Sequence, residues 1–280
     1  VHAEHLPHAV IIDCSASSAV ADHYPKWLAA GIHVLTPNKQ AGGGPLARYR
    51  AVQAAAKSGR ARWRYEATVG AGLPVIGTLR DLIDTGDRIE RIEGIFSGTL
   101  AYLFNRFDGQ APFSELVRQA KQAGYTEPDP RDDLSGLDVA RKLVILGREM
   151  GLELSVDDVH VESLVPAALA DASVDGFLQG LSSFDEPMRQ RFEAARDNQQ
   201  VLRYCAVLDA SGRAEVALKA LPAFHPFAHI ALTDNIVSFA TARYRNNPLI
   251  VRGPGAGPDV TAAGVFADLL RVASGLGAAL

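Results

Sequence analysis

The sequence predicts an α/β protein: an incomplete parallel-sheet domain followed by a mixed α+β domain. Three observations predict it. Residues 9–37 run strand, helix, strand, a βαβ unit that implies a parallel sheet. Stretches with apolar residues at helical spacing follow within residues 99–151. After residue 200 come strand-like runs joined by Gly- or Asn-containing turns. The 280 residues are 48% hydrophobic and 21% charged, which suffices for about two domains at roughly 150 residues each. The balance of 28 Lys+Arg against 32 Asp+Glu argues against phosphate-backbone binding, which needs a basic stripe. No run of ~18 apolar residues exists, so no membrane span is predicted. Cys14 and Cys205 are the only cysteines, too few for a disulfide framework, and they suit a reducing, cytoplasmic compartment.

The elements follow in order. AVIIDCS, residues 9–15, is a short β-branched run that reads as a buried strand. SSAVADHYPKWLAAG is a helix closed by Gly31, and IHVLTPNK is the next strand. These make a Rossmann-like sheet, in which ligands bind at the carboxyl ends of the strands. Residues 45–60 form another helix and RWRYEATVG, residues 62–70, a strand. Gly70, Gly72 and Pro74 then mark a loop leading into a helix. RIERIEGIFSG alternates as a half-buried strand; TLAYLFNRF, SELVRQAKQAG and LDVARKLVILGREMG are helices. VLRYCAVLD, AEVALKAL, NIVSFATARY and PLIVRG are antiparallel candidates. The expected division is 1–64 for a partial dinucleotide-binding domain, 65–257 for a substrate and dimerisation domain, and 258–280 for a helix returning to the first. The abrupt start before the first strand suggests a fragment or internal numbering, whereas the last helix reads as a natural end.

The densest polar cluster is AGYTEPDPRDDLSGLDVARK, residues 123–142. Asp132 or Asp133 is placed to cap the following helix, and an acidic, capped helix start is the plain reading of the loop. Asp138 and Lys142 are four apart and share one helix face. They make either an ordinary surface pair or, given apolar Leu137, Val139, Leu143, Val144 and Leu146, a desolvated proton-transfer pair. Glu127, Asp129, Asp132 and Asp133 lack the alternation of a calcium loop, so a metal reading there is weak. Ser97-Gly98-Thr99 sits at a strand-to-helix switch, either a plain N-cap or an anion site. GPGAG, residues 253–257, precedes the last helix without GxGxxG spacing. Ser15, Asn38 and Lys39 face the expected crevice, with a surface turn as the alternative for TPNK. His225 and His229 flank Pro226 and read as structural.

Together these motifs resemble homoserine dehydrogenase, most of all the form fused behind an aspartokinase. AKQAGYTEPDPRDDLSGLDVARK, residues 120–142, carries the most specific likeness. DCSASSAVADHY, TPNKQA, YEATVGAGLP, GIFSGTL and GPGAGPDVTAAGVFADLLR extend it over essentially the whole chain, in order. The resemblance implies interconversion of L-homoserine and L-aspartate 4-semialdehyde with NAD or NADP, in threonine and methionine biosynthesis. It implies Lys142 as the proton-transferring residue and Asp138 beside it at the substrate hydroxyl. Glu127, Gly98, Thr99, Tyr125 and Asp133 would form the substrate pocket. Ser15, Ala16, Asn38, Lys39, Gly255 and Gly257 would line the cofactor. A monovalent cation, Na+ or K+, would be held at Glu66, Val69, Ala71 and Leu73, and the assembly would be a homodimer or larger. A carboxylate neighbour favours an ammonium while apolar surroundings favour an amine. Whether Lys142 takes the proton itself or relays it through water therefore stays open. Departures from the family pattern are the absent GxGxxG turn and Ser15-Ala16 where many relatives have Thr-Ser. Without that turn, the second reading is an inactive substrate-binding and oligomerisation module.

Overall fold

The computed structural model describes residues 8–277. Strands β1 (Ala9–Ile12), β2 (Ile32–Leu35) and β3 (Trp63–Arg64) form a three-stranded sheet in that order, all parallel. The β1–β2 crossover is two short helices, Ser18–Ala21 and Tyr24–Ala29, rather than the one expected. Pro25 explains the break: it lacks an N–H and is tolerated only in a first helical turn, where it stands. Helix Leu46–Ser58 links β2 to β3. The strand expected over 62–70 stops at Arg64, and Glu66–Thr68 forms a 3-10 turn. The Glu66 backbone N–H goes to the Asp268 carboxylate of the last helix at 2.8 Å, which takes this residue out of the ladder.

The second sheet joins β4 (Ile89–Ile95), β5 (Val159–Val161), β6 (Gln200–Asp209), β7 (Ala214–Pro222), β8 (Asp234–Thr241) and β9 (Leu249–Pro254) in the order β5-β7-β6-β4-β8-β9. Its pairs are antiparallel except β5 with β7. At the β6–β7 turn, Asp209 Oδ1 accepts the Ser211 and Arg213 N–H groups, which gives the ASGR turn a mechanism. Helix Leu137–Glu149 packs on β5, β6 and β7 and on the short helix Lys39–Gly42, so it joins the two sheets. It buries Val139, Leu143, Val144 and Leu146 into one core with Phe96, Phe113, Tyr204 and Phe239. The last helix, Pro258–Gly275, packs on Glu66–Thr68 and β2.

Residues 152–199 gave no sequence prediction. They hold β5 and the helices Val174–Gly180 and Asp185–Asp197, the latter burying only Met188 and Ala195. So polar a helix has little apolar stripe to betray it.

Gly136 lies at φ 74° at the start of helix Leu137–Glu149, and a Cβ there would meet the Tyr204 hydroxyl oxygen at 2.0 Å. Gly136→Ala is expected to destabilise the fold by about 2–3 kcal/mol, from left-handed strain plus overpacking. Urea unfolding checks this; an unchanged midpoint would contradict it.

Candidate active site

The carboxyl ends of β1 and β2 are tied by one buried network. The Asp13 carboxylate accepts from Ser15 N at 2.8 Å, from Asn38 Nδ2 at 3.0 Å and from the Tyr24 hydroxyl. Burial works against the Asp13 charge, but these hydrogen bonds outweigh it and hold the carboxyl below its usual range. Thr36 Oγ1 donates to the Asp13 carbonyl at 2.7 Å and accepts from Asn38 N at 2.8 Å. Asn38 Oδ1 accepts from Gln40 N at 2.9 Å and so caps Lys39–Gly42. Asn38 is 3% exposed, and its side chain is committed to this scaffold. Asp13, Tyr24 and Thr36 were not singled out by sequence. The only signal was an acid directly after a β-branched strand.

The scaffold aims Lys39 at the start of helix Leu137–Glu149. Lys39 Nζ lies 3.2 Å from Asp138 Oδ1, and Lys142 Nζ lies 2.8 Å from Asp138 Oδ2. Lys142 Nζ also donates to the Phe96 carbonyl at 2.7 Å. One carboxylate thus bridges two ammoniums. Burial opposes the Asp138 charge, but Lys142 and then Lys39 outweigh it and hold the carboxyl far below the usual range. Lys39 is pushed down, first by burial and also by the positive charges of Lys142 and Arg141, with Asp138 opposing.

Beside this triad stands a second acid cluster. Asp133 Oδ2 accepts from Glu127 N at 2.8 Å, and Asp133 Oδ1 lies 2.8 Å from Thr99 Oγ1. Thr99 Oγ1 also lies 2.6 Å from the Tyr125 carbonyl. A hydroxyl has one proton and cannot donate to both. A neutral Asp133 carboxyl would satisfy all three atoms, and burial pushes Asp133 up in that direction. Asp133 therefore does not cap helix Leu137–Glu149; that helix starts at Gly136 with no side-chain cap. Ser97 is the plain N-cap of helix Gly98–Arg106, accepting from Leu100 N at 3.1 Å. Asp129 caps the short helix Pro130–Leu134 and pairs with Arg131 at 2.6 Å. Among the described residues no group of three or more His, Cys, Asp or Glu could hold a metal, so the loop acids do not converge on one centre. His225 caps the 3-10 turn Pro226–His229 through Nδ1, a structural role.

Two confluent cavities, of about 520 and 500 Å3, open on these groups and share Lys39, Ser97, Glu127, Asp133 and Asp138. Ser15, Ala16 and Asn38 line the first; Gly98, Thr99, Tyr125, Lys142, Gly255 and Gly257 line the second. Asp138, 40% exposed, owes that exposure to this cleft. Gly255 is fixed by space, since a Cβ would meet Asn235 Cγ at 2.2 Å. Thr68, Arg141, Thr233 and Thr261 also line the cleft and were not among the expected site residues, although all but Thr233 lie in the motifs quoted above.

Of the residues expected to hold a cation, only Ala71 reaches the cleft. The Glu66 carboxylate accepts from Ile76 N at 2.7 Å and Gly77 N at 2.8 Å, capping helix Val75–Asp84, and lies 3.3 Å from Arg271 Nη1. Burial pushes Glu66 up, against those donors. Both oxygens of this carboxylate are thus engaged within the fold.

Asp138→Asn removes the charge between two ammoniums. Lys39, already pushed down, then favours its neutral form further. A lysine whose folded pKa is depressed adds stability as pH rises from the folded towards the unfolded value. The melting-temperature gap between wild type and Asp138→Asn is therefore expected to narrow between about pH 7 and about pH 10. A gap that widens over that window would contradict this geometry.

A family model described as "Homoserine dehydrogenase" matches residues 74–270, and one described as "Homoserine dehydrogenase, NAD binding domain" matches residues 2–66. A bifunctional aspartokinase/homoserine dehydrogenase 2 of Zea mays is 55% identical over 98% of this chain, which spans only 30% of that protein. A homoserine dehydrogenase of Emericella nidulans is 48% identical over 94% of the chain and 75% of its own length. A solved Candida auris protein of unknown function has a TM-score of 0.92 at 42% identity, covering 95% of this chain and 76% of its own. Both models and these identities place one conclusion beyond the fold alone: the chain belongs to the homoserine dehydrogenase family.

Proposed function

We propose that this chain interconverts L-homoserine and L-aspartate 4-semialdehyde with NAD or NADP. The observation that carries the reading is the Lys39–Asp138–Lys142 triad opening on a cleft whose other wall is Glu127 and Asp133. The chain spans 30% of the aspartokinase fusions it matches, so activity is assigned here to its own residues alone.

A bound nicotinamide would supply the hydride acceptor for the carbinol carbon, or the hydride donor for the aldehyde. Oxidising the alcohol also requires removal of its hydroxyl proton. Lys142 is the residue set to hold or pass that proton: its Nζ is fixed by Asp138 and the Phe96 carbonyl at the cleft wall. Asp138 keeps Lys142 and Lys39 at a set spacing and accepts the substrate hydroxyl. Glu127 and Asp133 suit the substrate ammonium, whose arrival favours ionised Asp133. Lys39 answers negative charge on the cofactor side, where Ser15, Ala16, Gly255 and Gly257 leave space for it. A monovalent cation at the Val69–Leu73 turn would rest on backbone carbonyls, since Glu66 is engaged elsewhere.

Two further readings belong here. β9 is an edge strand with Ile250 39% exposed, which suits pairing with a second copy. Neither Cys14 nor Cys205 is in a disulfide, which suits a reducing cytoplasm, and no helix among the described residues is long and apolar enough to cross a membrane.

Assay with homoserine and NADP tests the assignment. Lys142→Ala is expected to lower kcat by about 10³-fold with an unchanged circular dichroism spectrum. Glu127→Gln is expected chiefly to raise KM for homoserine. A Lys142→Ala variant keeping most of its kcat, or a Glu127→Gln variant with unaltered KM, would remove those residues from their roles. Equal activity with all Na+ and K+ replaced by a bulky organic cation would dismiss the cation. Sedimentation as a monomer would dismiss the homodimer.

A further inference from the structure

A larger cavity, of about 620 Å3, lies apart from the cleft, between β3, helix Val75–Asp84 and the last helix. Four arginines line it: Arg62, Arg64, Arg80 and Arg271. Two are matched locally. Arg80 holds Glu149 through two bonds of 2.7 and 2.9 Å. Arg271 Nη1 lies 3.3 Å from Glu66 and 3.2 Å from Asp268. Arg62 and Arg64 make no ion pair among the described residues; the pairs at this cavity are those of Arg80 and Arg271. Asp81 and Asp84 line the rim as opposing charge without pairing.

Arg64 is half-buried, and burial together with the charges of Arg80, Arg62 and Arg271 outweighs the opposing charge of Asp268. Partial burial of an unpaired guanidinium among like charges costs free energy unless an anion completes the site. We infer that this cavity is a binding site for a small polyanion bearing phosphate groups, of the size of a diphosphate. One acidic side chain would answer one guanidinium. A concave space lined by several planar forks suits an anion with oxygens in several directions, which arginine binds bidentately. The cavity shares a wall with the catalytic cleft: Arg271 holds Glu66, and Ala67, Thr68, Gly70 and Ala71 beyond it line the cleft.

Titration calorimetry of the 280-residue chain with inorganic pyrophosphate at constant ionic strength tests the site. A saturable event is expected, weakened about tenfold or more by Arg64→Gln and by Arg62→Gln and unchanged by Lys39→Ala in the catalytic cleft. Exposed Arg62 keeps the test valid where Arg64→Gln fails to fold. Three results would overturn the inference: no saturable binding, binding lost in Lys39→Ala while both arginine variants retain it, or binding of citrate in place of pyrophosphate.

Discussion

A single carboxylate held between two ammoniums organises the cleft. Asp138 meets Lys142 through helical spacing alone, since residues four apart stack on one face. It meets Lys39 only because the parallel sheet and the second domain dock against each other. The same contact therefore fixes the spacing of Lys39 and Lys142 and registers two halves of the molecule. A carboxylate between two cations stays ionised well below the usual carboxylate range.

The rest of the junction protects that contact. Arg148, 3% exposed on the same helix, donates to the Gly42 carbonyl at 2.7 Å and the Leu154 carbonyl at 2.9 Å. Its guanidinium lies over the Tyr49 ring, 5.1 Å from the ring centroid. Glu149 joins Arg80 and the Tyr65 hydroxyl. A buried cation without a carboxylate depends on carbonyls for its donors, and here carbonyls from both sides of the junction meet Nε and Nη1, while Nη2 has no hydrogen-bond partner among the described residues. Helix Leu137–Glu149 is thus held at both ends: at Lys39 by charge, and at Gly42 and Tyr65 by hydrogen bonds and stacking.

On the other wall, the Asp13 network converts two strand ends into a rigid rim. Asn38 illustrates how a residue adjoining a ligand site can serve the scaffold: its amide bonds Asp13 and Ser17, and its oxygen caps the turn that delivers Lys39. Glu66 is similar. Its position in YEATVGAGLP suggests a ligand, yet the start of helix Val75–Asp84 needs an acceptor for its free N–H groups, and a buried carboxylate meets that need.

The chain's local chemistry determined much by itself. Helical spacing placed Asp138 and Lys142 on one face, β-branched runs marked the strands, and Ser97 marked a helix start. Each depends on residues within a turn or a pleat of one another, so each is written in short stretches. Tertiary structure alone decided that Lys39 reaches Asp138, that Asp133 turns to Thr99 rather than capping helix Leu137–Glu149, and that four arginines surround one cavity. Those outcomes join residues tens to hundreds of positions apart. They are set by how buried surfaces dock, and no local periodicity encodes that.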